Sequence, residues 1–183
     1  GCLCIATGLW AMPANAQFTS PVQLNGYMWS SNIGWISMNG GNYGVQVETD
    51  GRLTGHAWSS NIGWIPFDGL SSYPSGAGTQ SNDANINLMD SEVQGWARAC
   101  AGTVGGQCSS MSNHADGWDG WLSFRGNKYG VDTNNGVLDG YAWGSDVIGW
   151  VDSSYVTYTP PCTAGYRCSA DIQDREIINE WCE

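Results

Sequence analysis

The side chains of this 183-residue chain that could do chemistry are two histidines, seven cysteines, 17 Asp and Glu residues and eleven tryptophans. His114 and Asp116, two positions apart, are the nearest thing to an acid–base pair. They sit in a polar, loop-like stretch, where such a pair is usually a surface contact. No Gly-x-Ser-x-Gly elbow, phosphate-cradling glycine loop or His-Glu-x-x-His pattern accompanies them. Asp50, Asp68, Asp116, Asp119 and Asp139 each precede a glycine, the placement of turn residues rather than of paired catalytic carboxylates. The Asp and Asn turns offer oxygen ligands for calcium, but without an EF-hand or nonapeptide pattern. A Lys–Asn crosslink would have to use Lys128, the single lysine, and is disfavoured. The expectation is a protein that is not an enzyme and that carries no metal or cofactor.

The cysteines are Cys2, Cys4, Cys100, Cys108, Cys162, Cys168 and Cys182, with no Cys-x-x-Cys pair. Neither His56 nor His114 adjoins a cysteine pair, which argues against zinc. Disulfides in an oxidising compartment are the better account. Cys100 with Cys108 and Cys162 with Cys168 would each close a small loop. Cys182 then needs Cys2 or Cys4, and one odd thiol is left, either free or bridging to another chain.

A net charge of −11 repels phosphate backbones and anionic headgroups, so nucleic acid and peripheral membrane binding are disfavoured. Charged residues make up 13%, about half the usual ~25%, while the 26 glycines and eleven tryptophans are far above average. Such a composition suits a turn-rich β protein with a weakly charged surface.

Residues 1–16, GCLCIATGLWAMPANA, are apolar and end in Ala14-Asn15-Ala16 before Gln17. The stretch resembles the apolar region and cleavage site of a secretory signal, without a basic start. It falls short of the ~20 residues that span a bilayer and is interrupted by Gly8 and Pro13. It would pack on its own domain or be donated to a neighbouring subunit. In the latter case Leu3, Ile5, Leu9, Trp10 and Met12 are the contact candidates. A lipid anchor on Cys2 would require removal of Gly1.

The most informative feature is internal repetition. Gly26-Tyr27-Met28-Trp29-Ser30-Ser31-Asn32-Ile33-Gly34-Trp35-Ile36 recurs as Gly55-His56-Ala57-Trp58-Ser59-Ser60-Asn61-Ile62-Gly63-Trp64-Ile65. Another copy, Gly140 to Val151, has one inserted residue. A fourth is split between Gly95-Trp96-Ala97-Arg98 and Gly117-Trp118-Asp119-Gly120-Trp121-Leu122, with Cys100 and Cys108 in the insertion. Trp35 to Trp64 and Trp121 to Trp150 are each 29 residues. Trp35 to Trp121, Trp64 to Trp150 and Tyr43 to Tyr129 are each 86.

These offsets predict a domain over 20–159 made of duplicated halves, 20–68 and 93–152, joined by a connection at 69–92. An apolar extension (1–19) precedes it and a Cys-bearing tail (160–183) follows. Tyr43, Val45 and Val47 alternate with polar or small residues, and turns fall at Thr49-Asp50-Gly51, Ser59-Ser60-Asn61 and Asn134-Asn135-Gly136. Roughly five short strands per half follow, giving an all-β sandwich or partly closed barrel, or alternatively two small barrels side by side. Leu53, Gly55 and Ala57 share one face, with Thr54, His56 and Trp58 on the other.

For Trp29, Trp35, Trp58, Trp64, Trp121, Trp143 and Trp150 the first expectation is packing, because a core position must recur when a unit is duplicated. Stacking on sugar rings is the second and contact between protomers the third. Glycine beside tryptophan on adjacent strands suits an indole lying over bare backbone.

The strings GHAWSSNIGWIPF, GYAWGSDVIGWVD and GWARACAG…DGWDGWLSF resemble bacterial secreted and cell-surface proteins built on GYAWSxNIGWISF-type repeats. The resemblance covers residues 24–152 and extends to the Cys-Thr-Ala-Gly-Tyr-Arg-Cys tail. It implies secretion and a cell-surface role, and carries no residue roles with it. The split unit and the inserted residue are departures from the pattern. The leading expectation is therefore an extracellular structural protein, the repeating subunit of a pilus-like filament. Its partner would be another copy of itself, docked through the N-terminal extension. The alternative is an adhesin module that binds surface glycans through exposed Trp and Tyr.

Overall fold

A computed structural model describes residues 18–76, 78–109, 112–114 and 116–160. The subunit-contact candidates Leu3, Ile5, Leu9, Trp10 and Met12 lie outside the described residues, as do Cys2, Cys4, Cys162, Cys168 and Cys182. Cys100 and Cys108 form the expected disulfide.

The first half carries β1 (Val22–Gln23), β2 (Asn25–Ser30), β3 (Gly34–Ser37), β4 (Asn39–Gly40), β5 (Tyr43–Val47), β6 (Leu53–Ser59) and β7 (Gly63–Pro66). Then come β8 (Asn85–Asn87), β9 (Glu92–Gln94), β10 (Trp96–Arg98), β11 (Trp121–Ser123) and β12 (Arg125–Gly126). The chain continues through β13 (Tyr129–Asn134), β14 (Val137–Trp143), β15 (Trp150–Asp152) and β16 (Val156–Thr157). A single turn of helix, α1 (Ser145–Ile148), takes up the extra residue of the last unit. The strands are thus shorter and more numerous than expected, and all sixteen join one antiparallel sheet. Residues 69–92 are more than a connection, since they contain β8 and begin β9.

Each repeat unit is one hairpin: β2–β3, β6–β7, β10–β11 and β14–β15. Units are stitched edge to edge, β3 to β6, β11 to β14 and β15 back to β2. The run is therefore β7-β6-β3-β2-β15-β14-β11-β10, and its end strands β7 and β10 lie within 8 Å of each other, Cα to Cα. The connection and the disulfide insertion flank that open seam, which is where the repeat arithmetic breaks.

Inward positions carry aliphatic side chains at the parity opposite to tryptophan. Met28, Ile36, Ala57, Ile65, Leu122, Ala142 and Val151 are all buried. They belong to a single cluster drawn from both halves, in which Phe67 and Phe124 pack with ring centroids 5.5 Å apart. With β15 and β16 both laddered to β2, the alternative of two separate small barrels is ruled out.

The first glycine of each unit marks the point where a long strand changes neighbour. β6 pairs β5 through Gly55 and then β3 from Trp58 onward. At Gly55 (φ +93°) an added Cβ would lie 2.1 Å from the Gly44 carbonyl oxygen, and Gly26, Gly95 and Gly140 repeat the arrangement. Only a residue without a side chain allows that approach. The serine and asparagine of the motif act at the turns. Ser30 and Ser59 are buried and accept amide hydrogen bonds from Asn32 and Asn61 at 3.1 and 3.3 Å. The Asn61 amide then donates to the Ile33 carbonyl (2.8 Å), and the Asn32 amide to the Asp146 carbonyl (3.1 Å). Each asparagine thereby ties its turn to the turn of the adjoining unit. Asn135 and Gly136, both with positive φ, close β13 onto β14 in a two-residue loop.

Gly55→Ala is expected to cost more than about 2 kcal/mol in urea unfolding, combining left-handed backbone with a carbonyl clash. Gly41→Ala, where an added Cβ meets nothing within 4 Å, is the control and should stay within about 0.5 kcal/mol. Equal effects of the two substitutions would contradict the role assigned to Gly55.

Candidate functional site

The register of three of the four hairpins places one tryptophan against another on the outer face. Trp29 opposes Trp35, Trp58 opposes Trp64 and Trp143 opposes Trp150, with ring centroids 4.6 Å apart in each pair. In the split unit Arg98 stands opposite Trp121, its guanidinium carbon 4.7 Å from the ring centroid. Aligning Gly95-Trp96-Ala97-Arg98 on Gly26-Tyr27-Met28-Trp29 already puts Arg98 in the tryptophan position, so this cation–π substitute was legible in the sequence. Arg98 is buried and donates to the Asp119 carbonyl (2.7 Å) and the Asn113 side-chain oxygen (3.1 Å).

The expectation that the repeated tryptophans belong to the core is corrected for most of them. Trp35 and Trp150 are 49% exposed, Trp64 40% and Trp29 39%. Trp58 and Trp143 are half-buried, and Trp121 is buried. The physical reason is parity: aliphatic side chains fill the inward positions, so the tryptophans of the same strands must point out. The glycine expectation fares better. Trp29 and Trp58 lie over Gly34 and Gly63, where an added Cβ would come within 3.9 and 3.8 Å of the indoles.

A tyrosine from elsewhere in the chain stands beside each second tryptophan. Ring centroids are 5.2 Å apart for Tyr43–Trp64, 5.3 Å for Tyr129–Trp150 and 5.4 Å for Tyr155–Trp35, all near perpendicular. For Tyr73–Trp121 the distance is 5.7 Å and the rings are tilted. The residue after the first glycine flanks the same tryptophan. Tyr27 lies 5.9 Å from Trp35, His56 6.3 Å from Trp64 and Trp96 5.9 Å from Trp121.

Two of these stations are concave. One is a shallow cleft of about 450 Å³ lined by Lys128, Tyr129, Gly130, Gly140, Tyr141 and Trp150. The other, of about 300 Å³, is lined by Asn42, Tyr43, His56, Trp64 and Cys108. They are equivalent by duplication: Asn42, Tyr43 and Trp64 each lie 86 residues before Lys128, Tyr129 and Trp150. None of these lining residues is acidic, in a chain of net charge −11. Tyr43, Tyr129, Tyr141, His56, Asn42 and Lys128 were not singled out from sequence as site residues. The 86-residue offset of Tyr43 and Tyr129 was the available signal.

Chemically, such a corner offers one aromatic face, a second ring edge-on, and hydroxyl, amide, imidazole or ammonium groups at the rim. That is equipment for holding a ligand. The His114 ring nitrogen sits 3.0 Å from an Asp116 carboxylate oxygen, both exposed on the insertion, as the surface contact the sequence suggested. Hydrogen bonds from the Trp118 amide and from His114 hold the Asp116 carboxyl below its usual range. Among the described residues no group of three or more His, Cys, Asp or Glu side chains is gathered as a metal site.

At the split unit the platform is covered by the chain itself. Tyr73, from the 69–92 segment, lies on Trp121, and its one hydroxyl proton is shared between an Asp83 carboxylate oxygen (2.8 Å) and the Leu70 carbonyl (2.7 Å). Asp83 also accepts from the Gly69 and Leu70 amides, at 2.9 and 3.1 Å. Compared with protein-family models, curated proteins and solved structures, the chain matches none of them.

Burial, reinforced by Asp83, pushes the Tyr73 phenol up to about 12 from its ordinary 10.0. The neutral phenol is the form that the fold favours. The associated stability should be complete below about pH 10 and fall away as pH rises toward about 12. Thermal melts of wild type and Tyr73→Phe should therefore converge over that interval. A difference independent of pH would show that the hydroxyl is not protected as described.

Proposed function

We propose that this protein is a non-catalytic extracellular module that binds polysaccharide through its outward tryptophans. The observation that carries the proposal is the pair of equivalent clefts at Trp64 and Trp150, aromatic and free of acidic lining in a strongly acidic chain. Pyranoses with equatorial hydroxyls present a flat C–H face that packs on an indole, while their hydroxyls reach donors and acceptors at its edge. A β-1,4-linked glucan or chitin strand offers such faces repeatedly. The Lys128 ammonium at the rim of one cleft disfavours a cationic ligand there. The Cys100–Cys108 disulfide supports an oxidising compartment.

Self-assembly is the second reading. It is favoured by the platform at Trp35, where Tyr27 (51% exposed) and Tyr155 (55%) widen an apolar outer surface of the type enriched at protein interfaces. In that reading the exposed aromatics would join copies of the chain in a filament.

The full chain should be retained on insoluble cellulose or chitin. The double variant Trp64→Ala/Trp150→Ala should keep its circular dichroism spectrum and lose about tenfold or more in retention, ~1.4 kcal/mol. No retention on either polymer overturns the glycan reading. Regular fibres in negative-stain electron micrographs of the same preparation would then assign the aromatic surface to self-assembly.

A further inference from the structure

The valency and the direction of binding follow from the order of the hairpins. The cleft at Trp64 is on the β6–β7 hairpin and the cleft at Trp150 on β14–β15. Between them lie β3 and β2 on one side, and β11 and β10 on the other, across the seam where β10 approaches β7. One whole hairpin therefore separates the clefts in either direction around a single core, and because the ends of the run meet, the clefts stand half-way round it from each other.

The other two stations differ from these in a specific way. The carbonyl that approaches the first glycine of a unit belongs to Gly44 at Gly55 and to Gly130 at Gly140, but to Tyr155 at Gly26. In the first unit that carbonyl residue is itself the flanking tyrosine, Tyr155, 5.4 Å from Trp35, and the platform there keeps an accessible face. In the split unit Tyr73 lies over Trp121. In the two clefts, by contrast, the wall tyrosine is seated on a glycine of the preceding strand. An added Cβ would come within 2.3 Å of the Tyr43 ring at Gly40 and within 2.4 Å of Tyr129 at Gly126. Walls fixed in this way lose little freedom on binding.

We propose that the protein is a bivalent cross-linker, with one β-1,4-linked polysaccharide strand held in each of two opposed clefts. The inference rests on the glycan reading above and adds to it that a single copy joins two strands instead of gripping one strand twice. Because the clefts face apart, the second binding event gains nothing from the first along the same strand. The rims also differ: Lys128 and Tyr141 border one cleft, Asn42 and His56 the other. The two affinities should accordingly be unequal.

The test uses the full chain, with light scattering run alongside to count binding sites per monomer. Isothermal titration with cellohexaose and with chitohexaose should give two sites per monomer for the oligosaccharide that binds. Trp64→Ala and Trp150→Ala should each leave one. Both side chains are substantially exposed, and Tyr141→Ala and His56→Ala serve as a second pair if either fails to fold. Wild-type protein should aggregate dilute nanofibrils of the same polymer, whereas each single variant should bind them without aggregating them. One site per wild-type monomer, or a single-cleft variant that still aggregates fibrils, overturns bivalency and leaves the glycan reading standing. Failure of both oligosaccharides to bind overturns the glycan reading itself.

Discussion

Where the first glycine of each unit meets its neighbour, a backbone carbonyl occupies the space a side chain would need. At Gly26, Gly55, Gly95 and Gly140 that oxygen lies between 2.1 and 2.4 Å from an ideal Cβ, and all four residues have positive φ. This close approach lets one long strand belong to two ladders in succession. β6 leaves β5 for β3, and β14 leaves β13 for β11, at or just beyond these points. Without the switch, each hairpin would form its own flat sheet and could not share edges with the hairpins on both sides.

Once the units are stitched, the direction of the tryptophans is no longer free. A strand in the run has one face on the common core and one on solvent. The core is satisfied by small and aliphatic residues, and a second large apolar set at the other parity has only the surface to occupy. The cross-strand partner supplies part of the cover: each outer indole packs on another indole or, in the split unit, on the Arg98 guanidinium. Further cover is unequal. Tyr73, Trp96 and Arg98 together bury Trp121, while Trp35, Trp64 and Trp150 retain accessible faces. The outer platform is thus covered in one unit and accessible in three.

The insertions have a consistent location. The 69–92 segment and the disulfide loop both fall between the β6–β7 and β10–β11 hairpins, at the one seam without a hydrogen-bonded ladder between neighbouring units. Asp83 organises the first of them by accepting from two backbone amides and the Tyr73 hydroxyl. The disulfide staples the second. Residues 82–86 also bridge this seam by backbone hydrogen bonds, the Leu53 and Ile86 amides donating to the Ala84 and Gly51 carbonyls and the Ala84 and Trp96 amides to the Trp96 and Asn82 carbonyls, and its neighbouring platform is the one that is covered.

Much of this was written in the chain. The 29- and 86-residue offsets, the turn signals and the alternation of Val45 and Val47 established an antiparallel β protein of duplicated halves, and local spacing paired Cys100 with Cys108. Those features depend on neighbours in sequence or on repetition, which a single chain displays directly. Alternation also sorted Leu53 and Ala57 from His56 and Trp58, yet it could not say which set faced inward, since both sets contain apolar groups. Only the closing of the sheet on one core decided that. The same holds for the clefts: Tyr43 and Trp64 are 21 residues apart, and Tyr129 and Trp150 likewise, so nothing local couples them. They meet because two ladders share a strand that bends at a glycine, a contact set by long-range pairing and therefore visible only in the folded chain.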